Sequence, residues 1–329
     1  MAVTLKDVAE RAGVSRSAVS RTFTAGASVS VRTRGKVEKA AIDLGYAPNA
    51  LASSLTTGRT KLIGLIANNF HNPLILEVFD LFTRGLQDRG LRPLLVNLSE
   101  ATDPAASLRM LRQYSVDGVI VASSTLPSSF AEAFKSAGLP VVHAFGRQAL
   151  SPDVHVVGID NVACGRMAAE ALVRRGYARV AFLGGPEMAS STQDRAAGFL
   201  TALAAHPAIA VSVSYAAGYT FDAGRAEMQR LLAARPAEAY FCGDDLLAVG
   251  ALSAIGDAGL SVPGDIGLIG LNDMEMARWQ NIGLTTIRQP VAKIIDAAIE
   301  LVVATIETPD LPPEIRLFAC RVIERRTLR

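Results

Sequence analysis

Residues 12–21 read Ala12-Gly-Val-Ser-Arg-Ser-Ala-Val-Ser-Arg21, and this stretch decides how the amino-terminal part of the chain folds. Gly13 stands where two helices must turn sharply, a position that favours a residue able to adopt a positive φ angle. Ser15 is a preferred N-cap residue, so we predict that a helix begins at this serine. The helix should bury Val19 and Phe23 and expose its polar and basic residues, which are Arg16, Ser17, Ser20, Arg21 and Thr24.

Two further helices are predicted around this stretch. Leu5–Arg11 begins a pattern of apolar residues at positions 5, 8, 9 and 12, the spacing of one buried helical face. Thr4 precedes it as an N-cap, with Asp7 in a capping-box position. A third helix of about Arg32–Leu44 ends at Gly45. These helices form either an ordinary small bundle or a helix-turn-helix, whose second helix enters the major groove of DNA.

Charge favours the DNA-binding interpretation. Residues 1–60 hold nine Lys or Arg and four Asp or Glu residues, a net charge of +5. The whole chain has a net charge of only +2, so the remainder carries −3, from 24 basic and 27 acidic residues. A basic amino-terminal module on a mildly acidic body is the charge distribution expected of a DNA-binding protein.

Composition limits the class of protein. The chain has 329 residues, of which 50% are hydrophobic, enough for more than one domain. We expect a cytoplasmic protein with no signal peptide and no membrane partner, because no apolar segment precedes the first helix and no apolar run is long enough to cross a bilayer. Cys164, Cys242 and Cys320 are too widely spaced for a disulfide framework or a metal site, so we predict buried structural thiols.

A short segment follows the three helices. Pro48 and Gly58 bracket Ala50–Leu55, and Asn49 is placed to cap a helix of two turns. Such a short helix is marginal in water, so we expect it to be ordered only when other contacts hold it. A plain linker is the alternative interpretation.

From Lys61 the pattern changes to alternating strands and helices. Apolar strands separated by amphipathic helices indicate parallel sheets covered on both faces, and two such series indicate two doubly wound lobes. The predicted strands are Leu62–Ala67, Leu94–Leu98, Val116–Ala122, Leu139–Ala144, Val180–Leu183, 211–215, Ala239–Cys242 and Ile266–Leu271. The predicted helices are 74–89, 104–114, 128–137, 162–175, 192–205, 222–234 and Leu246–Gly259. A last helix of about 291–306 and short strands near 315–324 have no obvious place in the second lobe, so we expect the chain to cross back.

Catalytic and metal-binding motifs are missing from the sequence. It contains no GxSxG, HExxH, CxxC or GxxxxGK[ST] pattern. The four histidines, at positions 71, 143, 155 and 206, are scattered and are expected in loops or at the surface. Asp244 and Asp245 follow a strand and open a helix, where capping explains an aspartate more simply than a metal pair does. We therefore predict no enzyme activity, no cofactor and no metal site.

Several motifs resemble those of the LacI/GalR family of bacterial transcription regulators. They include Val3-Thr-Leu-Lys-Asp-Val-Ala-Glu-Arg-Ala-Gly-Val-Ser15, Leu44-Gly-Tyr-Ala-Pro-Asn49, Leu62-Ile-Gly-Leu-Ile66, Asp117-Gly-Val-Ile120, Ile159-Asp-Asn161 and Leu284-Thr-Thr-Ile-Arg-Gln-Pro290. The resemblance covers essentially the whole chain. It implies an α/β protein with an all-α helix-turn-helix DNA-binding domain and a hinge helix, followed by two doubly wound parallel-sheet lobes of periplasmic-binding-protein type.

The resemblance also implies domain boundaries. Residues 1–48 are expected to form the DNA-binding domain, 49–60 the hinge helix and linker, and 61–329 the effector-binding and dimerisation domain. Within the last, the N-lobe takes about 61–160 and 290–318, and the C-lobe about 161–289 and 319–329.

By the same resemblance, a homodimer places two recognition helices in successive major grooves of a pseudo-palindromic operator in double-stranded DNA. Arg16 and Ser17 match specificity positions and are expected to read base edges, with Arg16 bidentate to guanine. Leu55 matches a leucine that enters the minor groove and kinks the duplex. Phosphate contacts or capping are assigned to Ser20, Arg21, Thr33 and Asn49, with a base contact as the alternative for Arg21. The predicted interface also includes Thr4, Ser15 and Ala52.

The resemblance further implies a small polar effector, a sugar or sugar derivative, in the cleft between the lobes. The matching positions are Phe70, His71, Asp160, Ser191, Arg195, Tyr219, Asp244 and Asn272. Tyr219 suits stacking on a sugar or base, and Arg195 suits gripping a carboxylate or hydroxyls. Two alternatives stay open: Asp160 only caps the next helix, or Arg195 pairs with Asp194 or another acid.

These observations together predict an effector-controlled, DNA-binding transcription regulator, a repressor. A solute-binding protein that serves a sugar transporter is the alternative from another class, and the helix-turn-helix and missing signal peptide argue against it. A sugar-modifying α/β enzyme is opposed by the missing catalytic motifs.

Overall fold

The structure is a computed structural model that describes residues 3–24, 26–47, 54, 58–98, 104–126, 128–149 and 152–329. The chain divides into two units, Met1–Lys61 and Leu62–Arg329. Three predicted DNA contacts, Asn49, Ala52 and Leu55, lie outside the described residues, as does most of the predicted hinge helix.

The described part of the first unit contains three helices, as predicted. They are α1 Leu5–Ala12, α2 Arg16–Thr22 and α3 Val31–Leu44. Thr4 and Asp7 form the predicted capping box before α1, and the Ser15 side chain caps α2. Gly13 at φ 66° ends α1 and Gly45 at φ 67° ends α3, so both glycines supply the left-handed backbone of a helix C-cap.

The apolar faces of these helices form a small core. Its buried members are Val8, Ala9, Val19, Val37, Ala40 and Ala41. The prediction that Phe23 is buried is wrong, because α2 ends at Thr22 and Phe23, 36% exposed, follows it as the C-cap. Thr22 is buried instead, and its hydroxyl donates to the Ala18 carbonyl at 2.8 Å. The Phe23 ring lies 5.9 Å from the ring of Tyr46.

The described part of the second unit contains twelve strands and eight α-helices. The strands are β1 Leu62–Ala67, β2 Arg92–Asn97, β3 Gly118–Ala122, β4 Val141–Ala144, β5 His155–Ile159, β6 Arg179–Gly184, β7 Ala210–Tyr215, β8 Ala239–Cys242, β9 Gly267–Asn272, β10 Thr286–Arg288, β11 Ile315–Phe318 and β12 Arg321–Ile323. The helices are α4 Pro73–Asp88, α5 Pro104–Gln113, α6 Ser128–Ser136, α7 Asn161–Arg174, α8 Ser190–Leu203, α9 Phe221–Leu232, α10 Asp245–Asp257 and α11 Val291–Glu307. A 3₁₀ turn covers Glu275–Arg278.

The strands form two six-stranded sheets, one in each lobe. The order in the first sheet is β11-β5-β4-β3-β1-β2, and in the second it is β12-β10-β9-β8-β6-β7. The paired strands are parallel except for β12, which is antiparallel to β10. This confirms the predicted doubly wound α/β fold. The chain crosses between the sheets three times: after β5, after β10, and between β11 and β12.

β5 was missing from the sequence-based prediction. His155 and Gly158 interrupt its apolar run, yet all five of its residues are buried. His143 in β4 is buried as well, so the expectation of loop or surface positions is wrong for these two histidines. Burial lowers the pKa of His143 to about 4, and its Nε2 lies 3.0 Å from the Ser123 carbonyl oxygen. A neutral imidazole with one backbone partner is therefore compatible with the core of the sheet.

The three cysteines are free thiols; Cys164 and Cys242 are buried, and Cys320 is half-buried. None of the described helices combines the length and apolar character needed to cross a membrane.

Candidate functional site

The exposed face of α2 carries two arginines with no partner in the described chain. Arg16, Ser17, Ser20 and Arg21 are all exposed, in agreement with the sequence pattern. Neither guanidinium forms a hydrogen bond or ion pair with a described residue. Two free cations and two hydroxyls on one helical face are suited to contact phosphates and base edges in a major groove.

The predicted contacts outside α2 are engaged in capping. The backbone N–H and hydroxyl of Thr4 both donate to Asp7 Oδ2 at 2.7 Å, and these bonds lower the pKa of Asp7. Thr33 Oγ1 accepts from the Ser30 hydroxyl at 2.9 Å at the start of α3. Both threonines therefore mark helix N-termini, where backbone N–H groups favour a phosphate.

A cavity lies between the two lobes of the second unit, and its empty space of about 660 Å³ includes open solvent. It is lined by residues that follow the carboxyl ends of strands in both sheets, the expected ligand position in a doubly wound fold. Four predicted effector contacts line it: Arg195, Tyr219, Asp244 and Asn272. Its apolar lining includes Leu74, Ile75, Val78, Phe145 and Ile159, and its other polar residues include Asn68, Asn69, Asn72, Ser123, Ser124, Thr125, Asn161 and Gln289.

Arg195 is buried in the wall of this cavity, at 5% exposure. Its Nε donates to Asn161 Oδ1 at 2.8 Å, and its Nη1 donates to the Gly243 carbonyl at 2.6 Å. Its Nη2 donates to no described residue and remains available to a ligand. The alternative pairing of Arg195 with Asp194 is absent, because Asp194 binds Arg147 at 2.5 Å.

Two glycines bring the helix that carries Arg195 against its neighbour. A Cβ on Gly198 of α8 would lie 1.9 Å from the Val162 carbonyl oxygen, and one on Gly165 of α7 would lie 2.1 Å from the Arg195 carbonyl oxygen. Since no side chain fits at either position, α7 and α8 touch backbone to backbone. This contact sets the distance between Arg195 and Asn161.

Asp244 is the acceptor at the centre of a buried polar network. Its Oδ1 accepts from the Leu246 N–H at 2.7 Å, which confirms the predicted cap of α10. Its Oδ2 accepts from Asn72 Nδ2 at 3.1 Å and from Asn272 Nδ2 at 2.8 Å. Burial raises the pKa of Asp244 to about 6, although these hydrogen bonds and the charge of Arg195 act in the opposite direction.

The network fixes the orientation of Gln289. Because an ionised Asp244 can only accept, Asn272 donates through Nδ2 and presents Oδ1, which accepts from Gln289 Nε2 at 2.7 Å. Gln289 Oε1 is then buried without a hydrogen-bond partner in the described chain. The cavity wall therefore contains a buried acceptor without a partner at Gln289 and a free donor at Arg195.

Strained backbone positions Asn272 in this network. Asn272 has φ 126° and Asp273 has φ 59°, a conformation rarely adopted by residues other than glycine. Asp273 is turned into the second lobe, where Arg288 Nε and Arg325 Nη2 each lie 2.5 Å from its carboxylate. These ion pairs hold the turn that directs Asn272 to Asp244.

Asp245, the residue after Asp244, is fully buried and has a structural role. It accepts from the Thr286 hydroxyl at 2.6 Å and from the Met274 N–H at 2.8 Å. Burial, with the nearby charge of Asp244, raises the pKa of Asp245 to about 7. Among the described residues, no group of three or more His, Cys, Asp or Glu side chains is arranged to hold a metal ion.

Tyr219 forms part of the cavity wall and is held by α8. Its hydroxyl lies 2.6 Å from Thr192 Oγ1 and 3.3 Å from Ser191 Oγ. Gly185 packs on the ring, since a Cβ there would lie 2.5 Å from it. The structure thus places the predicted contact Ser191 behind Tyr219 rather than on the cavity surface.

Three predicted contacts lie elsewhere. Phe70 and His71 line an outer cleft, with about 1280 Å³ of empty space, that shares Tyr219 with the inner cavity. Asp160 lines neither space; it caps α7 by accepting from the Ala163 N–H at 2.9 Å. The residue after it, Asn161, lines the cavity instead.

Sequence reasoning missed several polar residues of the cavity. Asn68 follows β1, Ser123 follows β3 and Gln289 follows β10. Each is a polar residue directly after a buried strand. The rule that ligands bind beyond the carboxyl ends of parallel strands would have identified them.

Several hydrogen bonds and ion pairs between described residues join the lobes across this cleft, among them a bond from Arg147 Nη1 to Gln193 Oε1 at 3.5 Å. Others connect Arg147 to Asp194 at 2.5 Å, Asn72 to Asp244 at 3.1 Å, and Ser190 Oγ to the Ser124 carbonyl at 3.2 Å. The cleft is therefore bridged by the protein's own polar groups.

Comparison with known proteins places these two units in a family. Residues 4–49 match the model for bacterial regulatory proteins of the lacI family, and residues 169–328 match that for a periplasmic binding protein-like domain. The chain is similar to the HTH-type transcriptional repressor PurR of Escherichia coli O139:H28 (strain E24377A / ETEC), with 33% identity over 99% of this chain and 96% of that protein. PurR of Klebsiella pneumoniae (strain 342) is 31% identical over the same shares.

Solved structures agree with this assignment. The Lac repressor dimer bound to operator and the anti-inducer ONPF has a TM-score of 0.88 over 99% of both chains, and at 24% identity it shows the fold alone. The complex of the transcriptional regulator CelR with cellobiose has a TM-score of 0.73 and 28% identity, over 99% of this chain and 100% of that one. With relatives above 30% identity along nearly its whole length, the chain belongs to the LacI family of bacterial transcription regulators, which are not enzymes.

Proposed function

We propose that this regulator is an effector-controlled repressor that acts in the cytoplasm and binds a pseudo-palindromic operator as a homodimer. The exposed face of α2 is the single observation that carries the proposal. Arg16 and Ser17 would read base edges, and Ser20, Arg21 and Thr33 would contact phosphates. Thr4 and Ser15 would supply helix N-termini at the same interface. A Lac repressor dimer bound to operator shares this fold, which supports the dimeric arrangement.

The domain boundaries follow from the same proposal. Residues 1–48 would bind the major groove, and 49–60 would form a hinge helix with Asn49, Ala52 and Leu55 at the operator. Residues 61–329 would bind the effector and dimerise.

The effector is proposed to be a small polar molecule, a sugar or sugar derivative, in the cavity between the lobes. Arg195 Nη2 offers a donor to hydroxyl groups, Gln289 Oε1 is an unpartnered acceptor buried in the same wall, and Tyr219 offers an aromatic face. Asp244 and Asn272 would bind it through the network they share. Phe70 and His71 would line its entrance, Ser191 would orient Tyr219, and Asp160 would position Asn161.

DNA binding is tested by fluorescence anisotropy with an operator selected from random duplexes, titrated at several salt concentrations. A repressor that neutralises several phosphates should lose affinity with a slope of log K against log salt of about −0.9 per phosphate. Arg16→Ala should cost about 1–3 kcal/mol on the selected operator and much less on random duplex.

Arg84→Ala is the matched control, because Arg84 is an exposed arginine of the second unit that pairs with Asp80 at 3.0 Å. It should leave both affinities unchanged. A solute-binding protein would show no selected operator and no salt-dependent duplex binding, which would overturn the proposal.

The effector is identified by a thermal-shift screen of sugars, sugar acids, sugar phosphates and nucleobases. A ligand at a hundred times its dissociation constant adds about 2.7 kcal/mol to the free energy of unfolding. Stabilisation by a nucleobase and by no sugar would contradict the sugar assignment but leave the repressor proposal standing.

A further inference from the structure

Two cysteines lie where the chain crosses between the lobes. Cys164 ends the first turn of α7, directly after the crossing that follows β5, and its N–H donates to the Asp160 carbonyl at 3.0 Å. Cys320 lies between β11 and β12, within the last crossing. β5 and β11 are parallel neighbours, with Ile159 opposite Phe318, so the two segments leave the first sheet side by side. The fold therefore brings together two cysteines that are far apart in the sequence.

The thiols of these two cysteines are in contact. Cys164 is buried in the core of the second unit, and Cys320 packs against this core while part of its surface stays exposed. A hydrogen bond between their side chains lowers the pKa of Cys320 and raises that of Cys164. The charge of Arg195 acts to lower the pKa of both thiols, and burial acts to raise it. Cys320 is therefore the better thiolate, whereas Cys164 retains its proton.

This pair has the two properties of a thiol pair that responds to oxidants. An oxidant attacks a thiol that has thiolate character and access to solvent, and a second thiol in contact with it resolves the product. Under reducing conditions such pairs are thiols at rest and form disulfides only transiently. Cys242, the third cysteine, has neither property. It is fully buried in β8 within a separate group of core residues, and burial raises its pKa.

We propose that Cys164 and Cys320 form a reversible disulfide when the protein meets a hydroperoxide, and that this bond ties two of the three crossings together. The Cys320 thiolate attacks the terminal oxygen of the hydroperoxide, the O–O bond breaks, and the departing oxygen takes up a proton and leaves as an alcohol or water. The Cys164 sulfur then attacks the sulfenic acid formed on Cys320. An S–S bond forms, the S–O bond breaks, and the hydroxide leaves with the Cys164 proton as water.

The electrons balance in this sequence, because the two thiols together lose the two electrons that reduce the hydroperoxide. A dithiol reverses the change by thiol–disulfide exchange. The sulfur atoms have to approach to about 2.0 Å to bond. Cys320 lies outside both flanking strands, so its movement breaks no strand pairing.

The disulfide restricts the movement of one lobe relative to the other. A hinge opens by torsion changes in a few residues of the connecting segments, and a covalent bond between the first and last crossings limits these changes. This consequence rests on the proposed function, in which the effector acts through the arrangement of the lobes. The formation of the disulfide itself does not depend on that function.

The test treats the full-length protein with hydrogen peroxide at neutral pH, alkylates it under denaturing conditions and counts free thiols by mass spectrometry. The untreated protein should have three free thiols and the oxidised protein one, at Cys242, and dithiothreitol should restore all three. Peptide mapping should recover Cys164 linked to Cys320 within one chain. The oxidised protein should unfold at a higher temperature than the reduced protein, because the bond closes a long loop of the unfolded chain.

Serine variants assign the role of each thiol. Cys164→Ser leaves the oxidised Cys320 without a resolving thiol, so a sulfenic acid should accumulate there and be trapped by dimedone. Cys320→Ser should form no disulfide and no dimedone adduct, and peroxide should not raise its unfolding temperature. Cys242→Ser is the matched control and should form the disulfide as fast as the unaltered protein. If Cys164→Ser does not fold, Cys320→Ser at the half-buried position decides the matter.

The proposal is overturned if three free thiols remain after peroxide treatment, if the disulfide links two chains, or if Cys320→Ser is oxidised as fast as the unaltered protein. Under the proposed function, oxidation should reduce the effect of the effector on operator affinity about fivefold or more, and Cys320→Ser should keep the full effect. A full effect in the oxidised protein would contradict the restraint on the lobes. Failure to find an operator would overturn the proposed function alone, because thiol counts and unfolding temperatures need no DNA.

Discussion

At the scale of single residues, the cavity between the lobes is lined by polar side chains whose hydrogen-bonding groups find only some of their partners within the protein. Arg195 donates to Asn161 and to the Gly243 carbonyl but keeps Nη2 free. Gln289 is held by Asn272 but keeps Oε1 free. A buried polar group without a partner is costly, so a ligand that completes both groups gains affinity and specificity from them.

Arg195→Ala should abolish the effector response and leave the DNA affinity of the free protein nearly unchanged. The substitution removes the free donor and also two protein hydrogen bonds, so the free energy of unfolding should fall by about 1–3 kcal/mol. Anisotropy with operator, with and without the screened ligand, measures the response. Arg195→Lys keeps the charge but not the planar fork, and it should lose most of the response as well. A normal response in either variant would remove Arg195 from the site.

Asp245 should make stability depend on pH. Burial raises its pKa in the folded protein to about 7, above the value of an unfolded aspartate, so the folded state binds its proton more tightly. The stabilisation that this proton provides is therefore lost as the pH rises towards 7. Above pH 7 the effect of Asp245 on the free energy of unfolding no longer changes with pH. One pKa unit corresponds to about 1.4 kcal/mol of free energy. As the pH is raised from 5 to 8, the free energy of unfolding of Asp245→Asn should therefore rise by about 2–3 kcal/mol relative to that of the unaltered protein.

Urea unfolding of both proteins at pH 5, 6, 7 and 8 measures this difference. Both proteins contain every other titrating group, so their effects on stability largely cancel in the comparison. Only the pKa of the neighbouring Asp244 also changes, because it loses the charge of Asp245. A difference that does not change with pH would show that Asp245 ionises at its ordinary value.

At the scale of elements, the contact of α7 with α8 decides the geometry of the site. Gly198→Ala should destabilise the second unit by about 3 kcal/mol or more, because its Cβ would overlap the Val162 carbonyl and force the helices apart. Gly256→Ala in α10 is the matched control. A Cβ there meets nothing within 4 Å, so this variant should be stabilised by about 0.5–1 kcal/mol. Thermal unfolding of the two variants checks both directions, and equal stabilities would contradict the argument.

Most elements were predictable from hydrophobic period and capping residues. Thr4, Ser15 and Gly45 gave the ends of their helices correctly because capping is local chemistry. β5 was missed because His155 breaks the apolar run, and only tertiary burial shows that its imidazole belongs in the sheet. Asp160 and Asn161 show the same limit within the site. Asp160 caps α7, whereas Asn161, the next residue, lines the cavity. The sequence alone does not show which of two adjacent polar residues faces the ligand.

At the scale of the whole second unit, the lobes are bridged by protein contacts that any opening motion has to break. Arg147→Ala removes the pair with Asp194, in which Arg147 is 46% exposed. Because exposed pairs contribute about 0.2–1 kcal/mol, the affinity for the screened effector should fall by no more than about fivefold. Calorimetry measures the affinity, and Arg84→Ala, whose pair lies within α4, should leave it unchanged. A tighter-binding Arg147→Ala would show that the bridge opposes the ligand-bound state.

The threefold crossing of the chain between the sheets has a consequence during synthesis. The first sheet ends with β11, and α11 packs beneath it, so neither is available until nearly the whole polypeptide has been translated. The second sheet needs only β12 to be complete once β10 has emerged. A nascent chain leaving the ribosome will therefore hold five strands of each sheet when β10 has emerged, while its earlier lobe still lacks α11, one of the helices that pack on its sheet.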